Sequence, residues 1–382
     1  MNYERRVALN KRTNISEKLF EYLVKSIIPI LLLFLCITNN DIYFMKNAVL
    51  NVSAFLAYPT EYLTHLKASH QKEIEQNKTP ETMGEMQTMS ETINIKSDIP
   101  DDVLSLVKDA ETKYANSSND GKILKEDYSR KNATAEYDKV LLRNTTIDKT
   151  INIQDYIDRK VVANVSKNQP TVLIYHTHTS EAYELLDREF YTKSRDIRSK
   201  NQGETVVRIG KEICKILNEN GYETIHVTDV FDEQYSGAYE RSREKISEIL
   251  KANPSIQIVL DIHRDSIYLK DGTRIKTVTK INDKNVAQIM ITTGCETGNV
   301  TDFPNWEKNL AFALNLQNQL AGDNPSLVRP LVFSSRKYNM DLVPCALSID
   351  IGTDANTLTE AIYSARYFAE SLSKLLKEYE NK

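Results

Sequence analysis

Two clusters of polar side chains sit directly after apolar runs in this sequence, and their residue types are those of metal chemistry. The first is Thr171–Glu181, TVLIYHTHTSE, where Val172, Leu173 and Ile174 lead into His176, His178 and Glu181. The second is Asp261–Asp265, DIHRD, which closes the run IQIVLDI and holds His263, Arg264 and Asp265. An apolar run ending in ligand-type side chains is the pattern of a buried parallel strand reaching the carboxyl edge of its sheet, where open α/β sheets place their sites. Two imidazoles and a carboxylate, with a fourth position left for water, make an open zinc centre that lowers water's pKa to about 7 and polarises a carbonyl.

His176 lies one residue past the first strand and His263 one past the third, so neighbouring parallel strands are expected to bring them together as zinc ligands. The acidic ligand is expected at Glu204, which opens the next helix, with Glu181 as its rival; a carboxylate at a helix start is also explained by the helix dipole alone. His178, Glu181 and Asp265 are expected to touch substrate or to steady a ligand, as an aspartate does when it orients an imidazole. Arg264 is expected to hold a substrate carboxylate through a paired contact. Asp350, in LSIDIGTDANT, puts an acid inside an apolar strand, which is costly unless the group is paired or functional; it is the candidate general base.

The elements that position these residues alternate. Strands are expected at 171–175, 222–227, 256–262, 287–293 and 346–351, and helices at Glu204–Asn220, Glu240–Lys251, Trp306–Leu320 and Asn356–Tyr379. In the first helix Val206, Ile209, Ile213, Ile216 and Leu217 follow the helical period and stop at Gly221. Continuous apolar strands alternating with helices predict an α/β domain with a mostly parallel sheet and helices on both faces. Asp271–Gly272 predicts a hairpin between 267 and 280.

The chain has 382 residues, with 41% hydrophobic and 27% charged residues, enough for a sizeable core. A net charge of −4 gives no basic field for nucleic acid. Four scattered cysteines exclude a dense disulfide framework and a cysteine-rich zinc site. Only six histidines are present, too few for an unrelated multi-metal barrel hydrolase.

Ahead of the domain, Ser26–Thr38 is nearly all apolar behind a basic tail. Extended back to Leu19 it reaches the ~20 residues needed to cross a bilayer, and no small-residue cleavage site follows. It is expected to be an uncleaved signal anchor, with the basic tail cytoplasmic and everything after about residue 42 outside. The expected organisation is tail and transmembrane helix over 1–45, juxtamembrane segment and polar linker over 46–135, and catalytic domain over 136–382.

The ordered motifs IYHTHTSEAY, GETVVRIGKEI, YSGAYERSREK, DIHRDS, NWEKNLAFAL, SSRKYNMDL and IDIGTDANTLTEA resemble the stage II sporulation protein P family over roughly residues 170–380. That resemblance implies a fold akin to zinc-dependent N-acetylmuramoyl-L-alanine amidases. It implies a membrane-anchored peptidoglycan hydrolase with amidase and endopeptidase activity, acting in the septal space during engulfment beside the stage II sporulation proteins D and M. It makes His176 and His263 zinc ligands and Glu204 the acidic one. One position departs from the family pattern: the catalytic carboxylate there is Glu, and here it is Asp350, one methylene shorter. A wall-binding scaffold with weak turnover, acting through its partners, is therefore the second expectation.

Overall fold

Strand β4 (Val172–Tyr175) is buried along its whole length and lies inside the main sheet of the computed structural model, which describes residues 95–380 apart from 97, 160, 162 and 168. Around it are β3 (Val140–Asn144), β6 (Thr224–His226), β7 (Ile258–Asp265), β10 (Ile289–Gly294), β11 (Leu331–Ser334) and β12 (Cys345–Thr353), with β2 (Ala135–Tyr137) at one edge. The order across this eight-stranded sheet is β2-β3-β11-β10-β12-β7-β4-β6.

The half that carries the candidate residues, β12-β7-β4-β6, is parallel throughout. The β3-β11-β10 group is parallel within itself, but β10 meets β12 antiparallel, as β2 meets β3. Five of the sheet's seven pairings are parallel, as expected of a mostly parallel sheet, and the two antiparallel ones make it mixed. The 335–344 connection into β12 holds no helix, and a parallel crossover needs roughly a dozen residues or more, usually helical. A second, smaller sheet in the order β5-β1-β8-β9 is also mixed; it comprises β1 (Gly121–Glu126), β5 (Phe190–Tyr191), β8 (Arg274–Ile281) and β9 (Lys284–Ala287).

Helices cover both faces. Residues of α3 (Val206–Glu219), α5 (Trp306–Asp323) and α6 (Leu358–Tyr379) share the larger core with Val172, Ile174, Leu260 and Ile262. On the other face α4 (Ala238–Ala252) packs Ile246 against Leu173, Tyr175 and Val259. The termini of these helices follow from local chemistry. Thr205 caps α3 by accepting from the Val207 amide at 3.3 Å. Thr357 and Glu360 form a reciprocal capping box that starts α6.

The turn expected at Asp271–Gly272 is present, with Gly272 in the left-handed region. The longer hairpin is β8–β9, turned by Asn282 and Asp283, both left-handed.

Thr88–Lys382 form one compact unit, so the folded part begins before residue 136. Helix α1 (Asp101–Lys113) buries Val103 and Ala110, and β1 pairs with both β5 and β8. The short helix α2 (Gln154–Ile157) completes the described helices. The expected signal anchor lies outside the described residues, and no helix among the described residues is long and apolar enough to cross a membrane.

Candidate functional site

The pleat of the sheet decides which histidines meet. Residues 172 and 174 of β4 point into the larger core and 173 and 175 into the smaller one. His176 continues the first set. Its Nδ1–H donates to the Ile262 carbonyl at 2.9 Å, and its Nε2 lies 2.9 Å from Nε2 of His226 on the α3 side. A Cβ on Gly210 of α3 would sit 2.6 Å from the His176 ring, so the helix presses on this pair and only glycine fits there. Burial, reinforced by His226, lowers the His176 pKa to about 3.

His263 belongs to the opposite face, with Val259 and Asp261. Its Nδ1 is 3.3 Å from Glu181 Oε2, and its Nε2 is 3.0 Å from Asp261 Oδ2, an ion-pair contact whose N–H is not aimed at the oxygen. Asp261 is fixed in turn by the Thr177 amide at 2.8 Å and the Thr177 hydroxyl at 2.6 Å. Burial opposes a charged imidazole, but the charges of Asp261 and Glu181 dominate and hold His263 well above its ordinary pKa. Against the same burial, His263 pulls Glu181 down to about 2.

His178 has its ring centroid 5.5 Å from that of His263, and its Nδ1 is buried without a hydrogen-bond partner. Asp350 is the residue of β12 in register with His263, on the same face. Burial first, then the charge of Asp265, pushes its carboxyl up to about 7. The bulge between Asp350 and Thr353 turns on Gly352, at φ 68°, where a Cβ would meet Asn356 and Ala287 within 3 Å. A cavity of about 540 Å³ opens beside Thr179 and Ser180, walled by Arg198, Lys200 and Asp232.

The structure therefore brings together His178, Glu181, His263 and Asp350, and leaves His176 and Glu204 elsewhere. Glu204 does precede α3, as expected. Its carboxylate, however, accepts from Arg195 Nη1 at 3.2 Å and from the Ser199 hydroxyl. Arg264 is not open to a substrate carboxylate. Its side chain donates to the carbonyls of Ala182 at 2.9 Å, Ile197 at 2.8 Å and Asp265 at 3.3 Å, which ties the 181–198 loop to β7. Asp265 pairs with Arg329 at 2.8 Å rather than with an imidazole; Asp261 takes that part.

The model of the family described as Stage II sporulation protein P (SpoIIP) matches residues 59–373. The chain belongs to the stage II sporulation protein P family. The Stage II sporulation protein P of Bacillus subtilis (strain 168) is 28% identical over 222 residues, covering 54% of this chain and 51% of that one; the chain spans about half the length of this curated relative. Among solved structures, the N-acetylmuramoyl-L-alanine amidase AmiC2 of Nostoc punctiforme aligns at 13% identity with a TM-score of 0.32, covering 56% of this chain and 98% of that one. The CwlD amidase from Clostridioides difficile, solved with the GerS lipoprotein, aligns at 11% identity with a TM-score of 0.33, covering 55% and 98%.

In this SpoIIP-family chain His178, Glu181 and His263 are of the residue types that the zinc expectation needs. Two imidazoles and a carboxylate are common zinc ligands. The unpartnered Nδ1 of His178 is an atom that a metal would satisfy, and Asp261 lies 3.0 Å from Nε2 on the far side of His263, within reach of the carboxylate–histidine pairing that steadies metal ligands. No three such side chains among the described residues are already gathered into a finished cage. Asp261 was within reach of the sequence: as an acid two residues before His263 in a strand, it must share that histidine's face.

Proposed function

We propose that this chain is a zinc-dependent peptidoglycan hydrolase, an N-acetylmuramoyl-L-alanine amidase that also cuts peptide cross-links, anchored in the membrane with its domain in the septal space, and that it thins septal wall during engulfment beside the stage II sporulation proteins D and M. The observation that carries this reading is the meeting of His178, Glu181, His263 and Asp350 at the carboxyl ends of β4, β7 and β12 in a member of this family. His178, Glu181 and His263 would hold the zinc, which when bound supplies Lewis-acid polarisation of the scissile carbonyl and activation of water.

The chain's own groups do the rest. Asp261 fixes the His263 ring from its far side. The Arg264 amide holds Glu181 Oε2 at 3.1 Å, and its guanidinium holds the loop that carries Glu181. Asp350, on the same face as His263 and with its carboxyl pushed up to about 7, takes a proton from the attacking water and passes it to the departing amine nitrogen.

The test is digestion of purified peptidoglycan by the full chain in detergent, with and without zinc, reading products by mass spectrometry. Free stem peptides beside stripped glycan, abolished by a chelator and by His263→Ala, are expected; resolved cross-links add the endopeptidase. A folded chain that binds wall yet releases nothing at saturating zinc would favour the scaffold reading, for which the shorter Asp350 is the motive.

A further inference from the structure

Asp232 lies in a stretch with neither strand nor helix, between β6 and α4, yet its side chain is fully buried. A buried carboxylate is costly unless it is paired and hydrogen-bonded. Here four donors from two other segments satisfy it. Its Oδ1 accepts from the Thr179 hydroxyl at 2.7 Å. Its Oδ2 accepts from the Ser180 amide at 3.2 Å, from the Ser180 hydroxyl and from Arg198 Nη1 at 2.9 Å. Thr179 and Ser180 are the two residues between His178 and Glu181, so one carboxylate fixes the turn that spaces those side chains. The 198–199 segment holds the same turn from its other side. Arg198 Nη1 donates to the Ser180 hydroxyl at 2.8 Å, and the Ser199 amide donates to the Ser180 carbonyl at 2.8 Å.

A second line of contacts runs from Asp232 to the His178 ring. Arg198, paired with Asp232, lies over the ring of Tyr235 at 5.0 Å. Tyr235 in turn stacks on His178, 4.7 Å between centroids and 5° from parallel. At 66% exposed, Tyr235 adds little to the core; what it does touch is His178. Its backbone is nonetheless held firmly. Arg241 of α4 donates to the carbonyls of Phe231 at 2.7 Å, of Ser236 at 3.1 Å and of Gln234, which ties both chain neighbours of Tyr235.

We propose that Asp232, Arg198 and Tyr235 form a clasp that positions His178 and Glu181: the carboxylate sets the turn between them, and the stacked ring sets the plane of the imidazole. The inference rests on the hydrolase reading above, in which those two side chains hold zinc, and the three clasp residues act through them. Metal-binding imidazoles are usually oriented by a hydrogen bond to the ring, and such partners are worth about 10–100-fold in metal affinity. Asp261 is placed to serve His263 in that way. The Nδ1 of His178 has no hydrogen-bond partner among the described residues, and stacking sets this ring instead.

The experiment uses the full-length chain in detergent. It measures zinc affinity by competition with a chromogenic chelator, the visible spectrum of the cobalt(II) form, and the melting temperature of the metal-free chain. Asp232→Ala is expected to weaken zinc binding about tenfold or more. Tyr235→Leu is expected to weaken it about two- to tenfold and to alter the cobalt band, while the metal-free chain melts as wild type does because the side chain is exposed. Tyr235→Phe keeps the stacked ring and should keep the wild-type affinity. If Asp232→Ala does not fold, Thr179→Val takes its place, removing only the 2.7 Å contact, with a smaller loss of affinity in the same direction. Wild-type zinc affinity with an unaltered cobalt band in either folded variant overturns the clasp, and so does a lowered melting temperature with affinity intact, the mark of a merely structural contact. A chain that hydrolyses wall and binds zinc equally in wild type and variants sinks the clasp and leaves the hydrolase. One whose zinc affinity falls with the clasp but which cleaves no wall sinks the hydrolase and leaves the clasp. A wild-type chain that takes up no zinc overturns both.

Discussion

His176 and His178 are separated by one threonine and turn to different neighbours. His178 joins His263 and Glu181, while His176 is wedged between Ile262, His226 and the bare backbone of Gly210. Metal analysis should therefore find that His178→Ala loses bound zinc, whereas His176→Ala keeps it and instead lowers thermal stability by about 1–3 kcal/mol through its orphaned buried partners. Zinc lost with His176 but kept with His178 would restore the assignment that strand-end spacing suggested. Spacing did single out two stretches of chain whose side chains meet, because an apolar run ending in histidine is visible in one dimension. It could not show which histidine faces the site, since that depends on counting the pleat from the core residues of each strand. Glu204 lies apart from them for a related reason: its helix-start position is legible, but the Arg195 and Ser199 side chains that hold its carboxylate arrive through a loop without periodicity. Asp350 was legible as an acid in an apolar strand. If it carries the proton, Asp350→Glu, which restores the family's carboxylate, should raise kcat by up to about 100-fold. Unchanged turnover in a folded variant would remove the role.

Helix α3 is held to its neighbours by charge as well as by its apolar stripe. Glu212 is 4% exposed and accepts from Arg366 of α6 at 2.8 Å and from Arg208 at 3.0 Å, and Arg208 reaches on to Asp102 of α1 at 2.8 Å. Burial works against the Glu212 charge, but the two arginines win and hold its pKa below the ordinary 4.5. The sign follows. A carboxylate with a depressed folded-state pKa contributes stability that is complete above 4.5 and fades as pH falls below it. Glu212→Gln should therefore cost about 3 kcal/mol at neutral pH, where it leaves two arginines short of a partner, and the gap to wild type should close as thermal melts are taken from pH 5 towards pH 3. A gap independent of pH would mean that the loss is one of packing. The stripe Val206, Ile209, Ile213, Ile216 of α3 was plain in the sequence, whereas this network was not, because Arg366, Glu212 and Asp102 come together only when three helices dock.

At the scale of the molecule, the part of the polar stretch from residue 95 to 135 belongs to the fold. It reads as linker because α1 and β1 expose most of their residues and bury few: Val103 and Ala110 in the helix, Ile123 in GKILKE, and Tyr114 between them. Such short, mostly solvated elements leave little periodic signal, yet each does something the rest cannot supply. Strand β1 lies between β5 and β8 in the smaller sheet and pairs with both, α1 brings Asp102 to Arg208, and Asp127 and the Tyr128 amide satisfy the buried Gln288 side chain at 2.7 Å each. Burying a Val, Ile or Tyr side chain contributes about 1.5–3 kcal/mol, so removing Val103, Tyr114 and Ile123 takes away roughly 5 kcal/mol or more, against a total of about 5–15 kcal/mol for a typical domain. A fragment of residues 136–382 should accordingly be insoluble or melt far below one of residues 88–382, and only the longer fragment should give a single cooperative transition by calorimetry. Equal melting temperatures would show that 101–126 decorates the domain without holding it together. Loss of folding in the shorter fragment would explain in advance any inactivity found there, which is why activity has to be read from the full chain.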